Sequence, residues 1–209
     1  MKIKVIDTSQ YTPRGISARC PHCGHDATFE PLGVNDVHVG NSVVTGQRSC
    51  PRSECKGHIF TVTHGGQLRA SYPPITLDFN STNIPQNIKK TFEEALKCHS
   101  SGSFVSSAMM VRRTLEEICK DKGASGANLK LRIADLKSKI VLPQELIEAM
   151  DELRLLGNDA AHVEAQDYEN IGDEELTAAI DLTKEIMKGI YQYSAILGRL
   201  KALKAQGKK

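Results

Sequence analysis

Two groups of residues have types and spacing suited to chemistry. Cys20 and Cys23 lie in "CPHCGH", and Cys50 and Cys55 lie in "CPRSECKGH". Each pair sits in a tight turn containing Pro or Gly, and two such turns facing each other supply four thiolates to a tetrahedral zinc ion. With all four positions filled by protein, that Zn2+ is structural rather than catalytic. The second group lies in "ELRLLGNDAAH", residues 152–162, which spaces Arg154, Asn158 and His162 four apart. On an ideal helix such residues turn by ~40° per step and climb ~1.5 Å per residue, so all three face one cleft. A histidine near its reference pKa of ~6.5 moves protons, and a guanidinium pairs with phosphoryl oxygens. The plainer reading is that Asn158 and His162 hydrogen-bond inside a packed bundle. Gly157 between them costs ~1 kcal/mol against alanine in a helix, which points to a close helix contact.

These residues need elements to hold them. "ATFEPLGV", "NSVVTGQRS" and "HIFTVTHGGQLRASY" read as strands between Gly and Asn turns. "SYPPITLDFNSTNIPQ" then reads as a linker that ends by starting a helix at Pro85. Beyond it the periodicity is helical. "PQNIKKTFEEALKCHSSG", "SFVSSAMMVRRTLEEICKDKG", "NLKLRIADLKSK" and "PQELIEAMDELRLLGNDAAHVEA" give four helices. A fifth long helix, "DEELTAAIDLTKEIMKGIYQYSAILGRLKALKAQ", has Asp173 as its cap and a basic end. Its stripe of Leu176, Ile180, Met187, Ile190 and Leu197 reads as core or dimer seam. The expected fold class is α+β as separate domains: a small β-rich zinc-ribbon-like domain over 1–75, a linker over 76–84, and an all-α helical bundle over 85–206.

Composition narrows the partners only a little. In 209 residues the hydrophobic fraction is 40%, the charged fraction 25% and the formal net charge +2, values ordinary for a globular protein and uninformative about polyanion binding. The opening "MKIKVIDTSQ" has no apolar run of signal-peptide length, and no stretch approaches the ~20 apolar residues of a membrane helix. A cytoplasmic location with no membrane partner is expected, where cysteines stay reduced and are read for metal first. His25 and His58 are alternative ligands or outer partners of the site. Arg14, Arg19, Arg48, Arg52, Lys56 and Arg69 suit a phosphate backbone about as well as a solvated surface. Cys98 and Cys119 read as buried structural thiols. Arg112 and Arg113 pair at i,i+4 with Glu116 and Glu117, or else one of them brings an arginine to the cleft from another helix.

The helical sequence, through "FEEALKC", "MMVRRTLE" and "LRLLGNDAAH", resembles a bacterial domain-of-unknown-function family, number 4145, of the HEPN (higher eukaryotes and prokaryotes nucleotide-binding) superfamily. The resemblance covers about residues 84–200. It implies an up-and-down bundle, often dimeric. Many members are metal-independent ribonucleases of toxin–antitoxin or anti-phage defence systems, and others are non-catalytic nucleotide or protein binders. The superfamily motif has arginine, a polar residue, three more residues and histidine. Here Asn158 matches the polar position and His162 the histidine, while Gly157 stands where the arginine belongs, with Arg154 one turn earlier. The resemblance implies RNA as partner, a homodimer through the bundle, and a protein partner or antitoxin. It casts His162 as general acid/base, Asn158 as orienting group, Arg154 as phosphate contact and Arg112 or Arg113 as nucleic-acid-binding. Set against this is a non-catalytic module that binds nucleic acid or protein.

Overall fold

In the computed structural model, which describes residues 3–159 and 171–206, the chain divides into two units, Met1–Asp78 and Phe79–Lys209. The first is all β and the second all helical, so the β and α parts are separate, as the change of periodicity implies.

The first unit holds β1 (Ser9–Tyr11), β2 (Ile16–Arg19), β3 (Asp26–Pro31), β4 (Asp36–His38), β5 (Val43–Ser49), β6 (His58–His64) and β7 (Gln67–Tyr72), all pairing antiparallel. β5 is the strand that organises the rest. One edge pairs with β6 along its whole length, while the other is shared between β4 at Val44 and Thr45 and β3 at Arg48 and Ser49. β-branched and aromatic residues recur through β3, β5 and β6, as a pleated, half-buried surface favours. Alternation then sends Phe29, Val44, Arg48, Ile59 and Thr61 inward. The short strands β1, β2 and β4 carry too few apolar residues to stand out in the sequence.

A charged pair lies within this sheet. Arg48 and Asp36 are 2% and 4% exposed, and their side chains meet in a double hydrogen bond at 2.9 and 2.5 Å. Arg48 Nε also donates to the Arg14 carbonyl at 2.8 Å, and Nη1 to that of Gln47 at 2.8 Å. Gly46 makes this geometry fit, because a β-carbon there would collide with Asp36 Oδ1. Arg48 is therefore no phosphate contact, contrary to its place among the basic candidates. Arg19 is likewise engaged, with Asp26 at 3.7 Å and Asp78 at 2.5 Å, and Arg52 with Glu54 at 3.3 Å.

The second unit runs α1 (Gln86–Ser100), α2 (Phe104–Asp121), α3 (Leu129–Leu136), α4 (Gln144–Asp159), α5 (Asp173–Met187), a π-helical turn (Lys188–Gln192) and α6 (Tyr193–Gln206). α2 is central and packs against α1, α3, α4 and α5. Its inward stripe of Ala108, Val111, Leu115 and Ile118 is fully buried, the 3.6-residue pattern at work. α3 starts where Asn128 Oδ1 accepts the Leu131 N–H at 3.0 Å. Residues 79–84 pack onto this bundle. Phe79 meets Phe92 edge-on at 4.7 Å between centroids, Ile84 is buried, and the Gln192 amide donates to the Asn80 carbonyl at 2.8 Å.

The long last helix differs from expectation in two ways. Gly172 occupies the cap position, and Asp173 is the first helical residue. The π turn then divides the apolar stripe: Leu176, Ile180 and Met187 are core, whereas Leu197 is 52% exposed. Cys119 is buried, and burial pushes its thiol up to about 11; Cys98 is only half-buried.

Arg48→Ala is expected to destabilise the β unit by about 3–5 kcal/mol, because it strands the Asp36 carboxylate in a dry site. The apolar double variant Asp36→Leu/Arg48→Met is expected to lose less than Arg48→Ala alone. Denaturant melts followed by strand circular dichroism compare the two.

Candidate functional sites

The β unit places its four cysteines together. Cys20 and Cys23 sit on the turn that closes the β2–β3 hairpin, and Cys50 and Cys55 on the β5–β6 turn. The first turn is tied by Cys20 N–H to the His25 carbonyl and Gly24 N–H to the Cys20 carbonyl, each 2.9 Å. The second turn repeats the scheme, with Cys50 N–H to the Gly57 carbonyl at 2.9 Å and Lys56 N–H to the Arg52 carbonyl at 3.0 Å. Gly24 takes φ 71° in the first turn, and Lys56 takes φ 45° in the second, in the left-handed region that favours glycine.

The sulfurs lie within 4.8 Å of one another, with Cys20–Cys55 at 3.8 Å and Cys23–Cys50 at 3.9 Å. A disulfide needs ~2.05 Å, so these are not bonded pairs. A tetrahedral ion with bonds of ~2.3 Å places its ligand sulfurs about 3.8 Å apart. The spacing thus fits a metal site. The thiols differ in readiness. The backbone N–H of His25 holds Cys23 down at about 7, while burial pushes Cys20 and Cys50 up. A buried thiol cluster disfavours negative charge on its own, and a divalent cation reverses that preference.

The cluster is also the centre of the unit's core. Cys20 and Cys50 pack with Phe29 and Ile59, and among the described residues this group has only those four fully buried members. One histidine that the sequence did not single out joins the two turns. His22 Nε2 lies 2.9 Å from the His58 carbonyl, and its ring occupies the space that a side chain at Gly57 would fill. The His58 ring instead packs at a tilt against Phe60, with 4.6 Å between centroids, and neither His25 nor His58 is in the ligand group. A sequence signal for His22 existed: it lies inside the first turn, and a glycine lies inside the second.

The helical unit brings a second set together. Arg112 of α2, Arg154 and Asn158 of α4, and Asn128, Leu129 and Lys130 at the start of α3 line a cavity of about 260 Å³. Arg112 lies over Gly157. A β-carbon at 157 would collide with Arg112 Cβ, with Cδ and Cγ 3.0 and 3.1 Å away. The glycine is therefore what lets α2 and α4 approach this closely, and it seats an arginine from α2 above its own position. Arg112 Nη1 donates to the Arg154 carbonyl at 3.2 Å, and Nε faces Glu116 at 3.4 Å. Arg154 pairs with Asp151 at 3.2 Å. Arg113 points elsewhere, into a cavity of about 610 Å³ with Glu116, Glu117, Lys120 and Arg132. His162 lies outside the described residues.

Arg112, Lys130 and Arg154 thus put three cationic groups on one small cavity whose described lining contains no carboxylate. Such a surface suits a phosphate group, with Asn158 able to donate from its amide and accept at its carbonyl.

A family described as "Domain of unknown function (DUF4145)" matches residues 93–207, which takes in α2 to α6 and both halves of this cavity. No curated protein and no solved structure matches the chain.

Gly157→Ala is expected to lower the stability of the helical unit by about 1–2 kcal/mol, since forcing α2 from α4 costs more than the ~1 kcal/mol of helix propensity gained. An ordinary helix-surface glycine would show the opposite sign. Thermal or denaturant melts at the helical circular-dichroism band decide between them.

Proposed function

We propose, from the premise that the chain belongs to the DUF4145 family, that it is an RNA-directed protein of the HEPN kind carrying a structural zinc ribbon. The observation that supports this reading is the cavity shared by Arg112, Lys130, Arg154 and Asn158. The arginine position of the motif holds glycine, yet a guanidinium stands over it from α2. Arg112 takes the phosphate role that Gly157 cannot, Arg154 flanks it, and Asn158 orients the bound group. RNA brings its own nucleophile, the ribose 2′-hydroxyl. His162 on the same segment then acts as general base toward that hydroxyl and returns the proton to the leaving 5′-oxygen. The setting is a toxin or anti-phage system.

The rival reading, a non-catalytic module that binds RNA or protein, is favoured by one specific observation. Arg112 and Arg154 are already held by Glu116 and Asp151, so each carries less free charge to a transition state than an unpaired arginine would.

In the β unit, Cys20, Cys23, Cys50 and Cys55 hold Zn2+, which closes the two hairpin ends over Phe29 and Ile59. All four ligands come from protein, so the ion stabilises and does not catalyse. No described helix is long and apolar enough to cross a membrane.

Two tests follow. Purified chain is expected to carry one zinc, and a strong chelator is expected to unfold the β unit while the helical signal persists. Binding tightens as pH rises, from about pH 6 to about pH 8, because the thiols must lose protons to coordinate. Metal analysis with chelator competition at the two pH values checks both. For RNA, labelled single strands are expected to bind, this cavity contributing about −0.7 to the log–log salt slope, as one phosphate held in it gives. Arg112→Ala is expected to weaken binding about tenfold or more. Cleavage by the wild type that disappears in His162→Ala supports the enzyme. Binding with no cleavage in either supports the RNA-binding form of the rival, and no RNA affinity at all ends every RNA-directed reading.

A further inference from the structure

The helical unit has a second cavity, about 610 Å³ against about 260 Å³ for the one around Asn158. One wall is α2, which presents Arg113, Glu117 and Lys120 on one face at i, i+4 and i+7. The other is the loop Gly123–Gly126 together with Arg132 of α3. Hydrogen bonds fix that loop. Asp135 Oδ2 accepts the Ser125 N–H at 2.6 Å, the Gly126 carbonyl accepts from Arg132 Nε at 3.1 Å, and the Gly123 carbonyl accepts from Lys139 Nζ. Both walls are thus held by the fold.

Charge says what fits between them. Among the described residues Arg113, Lys120 and Arg132 pair with no carboxylate, because Glu116 is held by Arg112 Nε at 3.4 Å. Glu117 Oε2 accepts from the Asn87 amide at 2.8 Å, while its Oε1 accepts from no described group. Three free cations call for an anion, and a carboxylate oxygen beside them calls for a hydroxyl. A phosphate carried on a ribose offers both. An inorganic polyphosphate would meet Glu117 as a repulsion, whereas the 2′-hydroxyl meets it as a hydrogen bond. The two cavities are also neighbours. Arg112 and Arg113 are consecutive on α2, with Cα atoms ~3.8 Å apart and side chains ~100° apart around the helix, and each lines one cavity. Lys130 and Arg132 divide in the same way at the start of α3.

We infer that this second cavity holds the neighbouring nucleotide of the same RNA strand, its phosphate on Arg113, Lys120 and Arg132 and its 2′-hydroxyl donating to Glu117. This rests on the RNA reading of the cavity around Asn158. The strand crosses the ridge made by α2 and the start of α3, with one phosphate on each side. A single strand can bend over such a ridge and splay its nucleotides into separate pockets, which a stiff duplex does not. The substrate class is therefore single-stranded RNA gripped at two adjoining nucleotides, and a lone nucleotide fills only one of the two places.

Salt titration of a labelled oligouridylate bound to the full chain tests it. Two held phosphates give the wild type a log–log slope of about −1.4, against about −0.7 for one. Arg113→Ala/Lys120→Ala, at two exposed positions, is expected to return the slope to about −0.7 and to cost about tenfold in affinity, with circular dichroism unchanged. Lys97→Ala, exposed on α1 and outside the lining of both cavities, is expected to change neither. Oligodeoxyuridylate is expected to bind several-fold more weakly than the ribose strand, and Glu117→Ala to remove that preference. RNA binding with a slope near −0.7 in both the wild type and the double variant would overturn the inference and leave the cavity around Asn158 as the RNA site. A loss with Lys97→Ala equal to that of the double variant would overturn it in favour of diffuse surface charge, and so would a ribose preference that survives Glu117→Ala. No RNA affinity in the wild type ends the RNA reading itself and this inference with it.

Discussion

The contact between Gly157 and Arg112 sets the geometry of the helical unit. Two helices meet at a point where one contributes no side chain, so the other can lay an arginine stem across it. That closeness brings Arg112, Arg154 and Asn158 to one cavity and leaves the start of α3 as its far wall. With alanine at 157 the helices would part, and the cationic groups would part with them. Packing and electrostatics are one feature here, since the residue that allows the crossing also decides which helix supplies the charge.

The β unit uses the same device twice. Gly46 makes room for Asp36 to reach Arg48, and Gly57 makes room for the His22 ring between the two cysteine turns. At each place an absent β-carbon admits a polar group from another element, and that group is then fixed by hydrogen bonds. Small cores favour this arrangement. The cluster of Cys20, Cys50, Phe29 and Ile59 buries little apolar surface for a unit of this size, so polar bonds such as Arg48 to Asp36 carry a larger share of its order.

Patterns with a strong period were legible in the sequence. The helices of the second unit and the longer strands follow from spacing, because burial acts on every third, fourth or second residue, and the cysteine turns follow from their ligand spacing. Strands of three or four residues carry too few positions to show a period, and so β1, β2 and β4 did not stand out. The roles of single polar residues were the least legible. Arg48 looked like a surface cation, and only the register of β5 turns it inward against Asp36. Gly157 was readable as a packing glycine, and Arg112 or Arg113 as an arginine brought from another helix, but which of the two packs on it was not, because α2 and α4 are distant in sequence. The division of the last helix was hidden for another reason: Leu176 and Leu197 share a residue type and a period, yet α5 packs against α1, α2 and α4, while α6 has, among the described residues, no such neighbours to cover Leu197.

A formal net charge of +2 conceals how unevenly charge is placed. Three cationic groups gather on the cavity around Asn158, while the rod from Asp173 to Gln206 is divided into an acidic and a basic half. Sums over a chain cancel such features, whereas Coulomb interactions act within roughly 10 Å and so respond to the local pattern. The basic half of the rod also lies at the end of its helix, where the dipole favours cations, so α6 is stabilised by its own charges before anything binds to it. What those charges do not supply is cover for Leu197, Leu200 and Leu203.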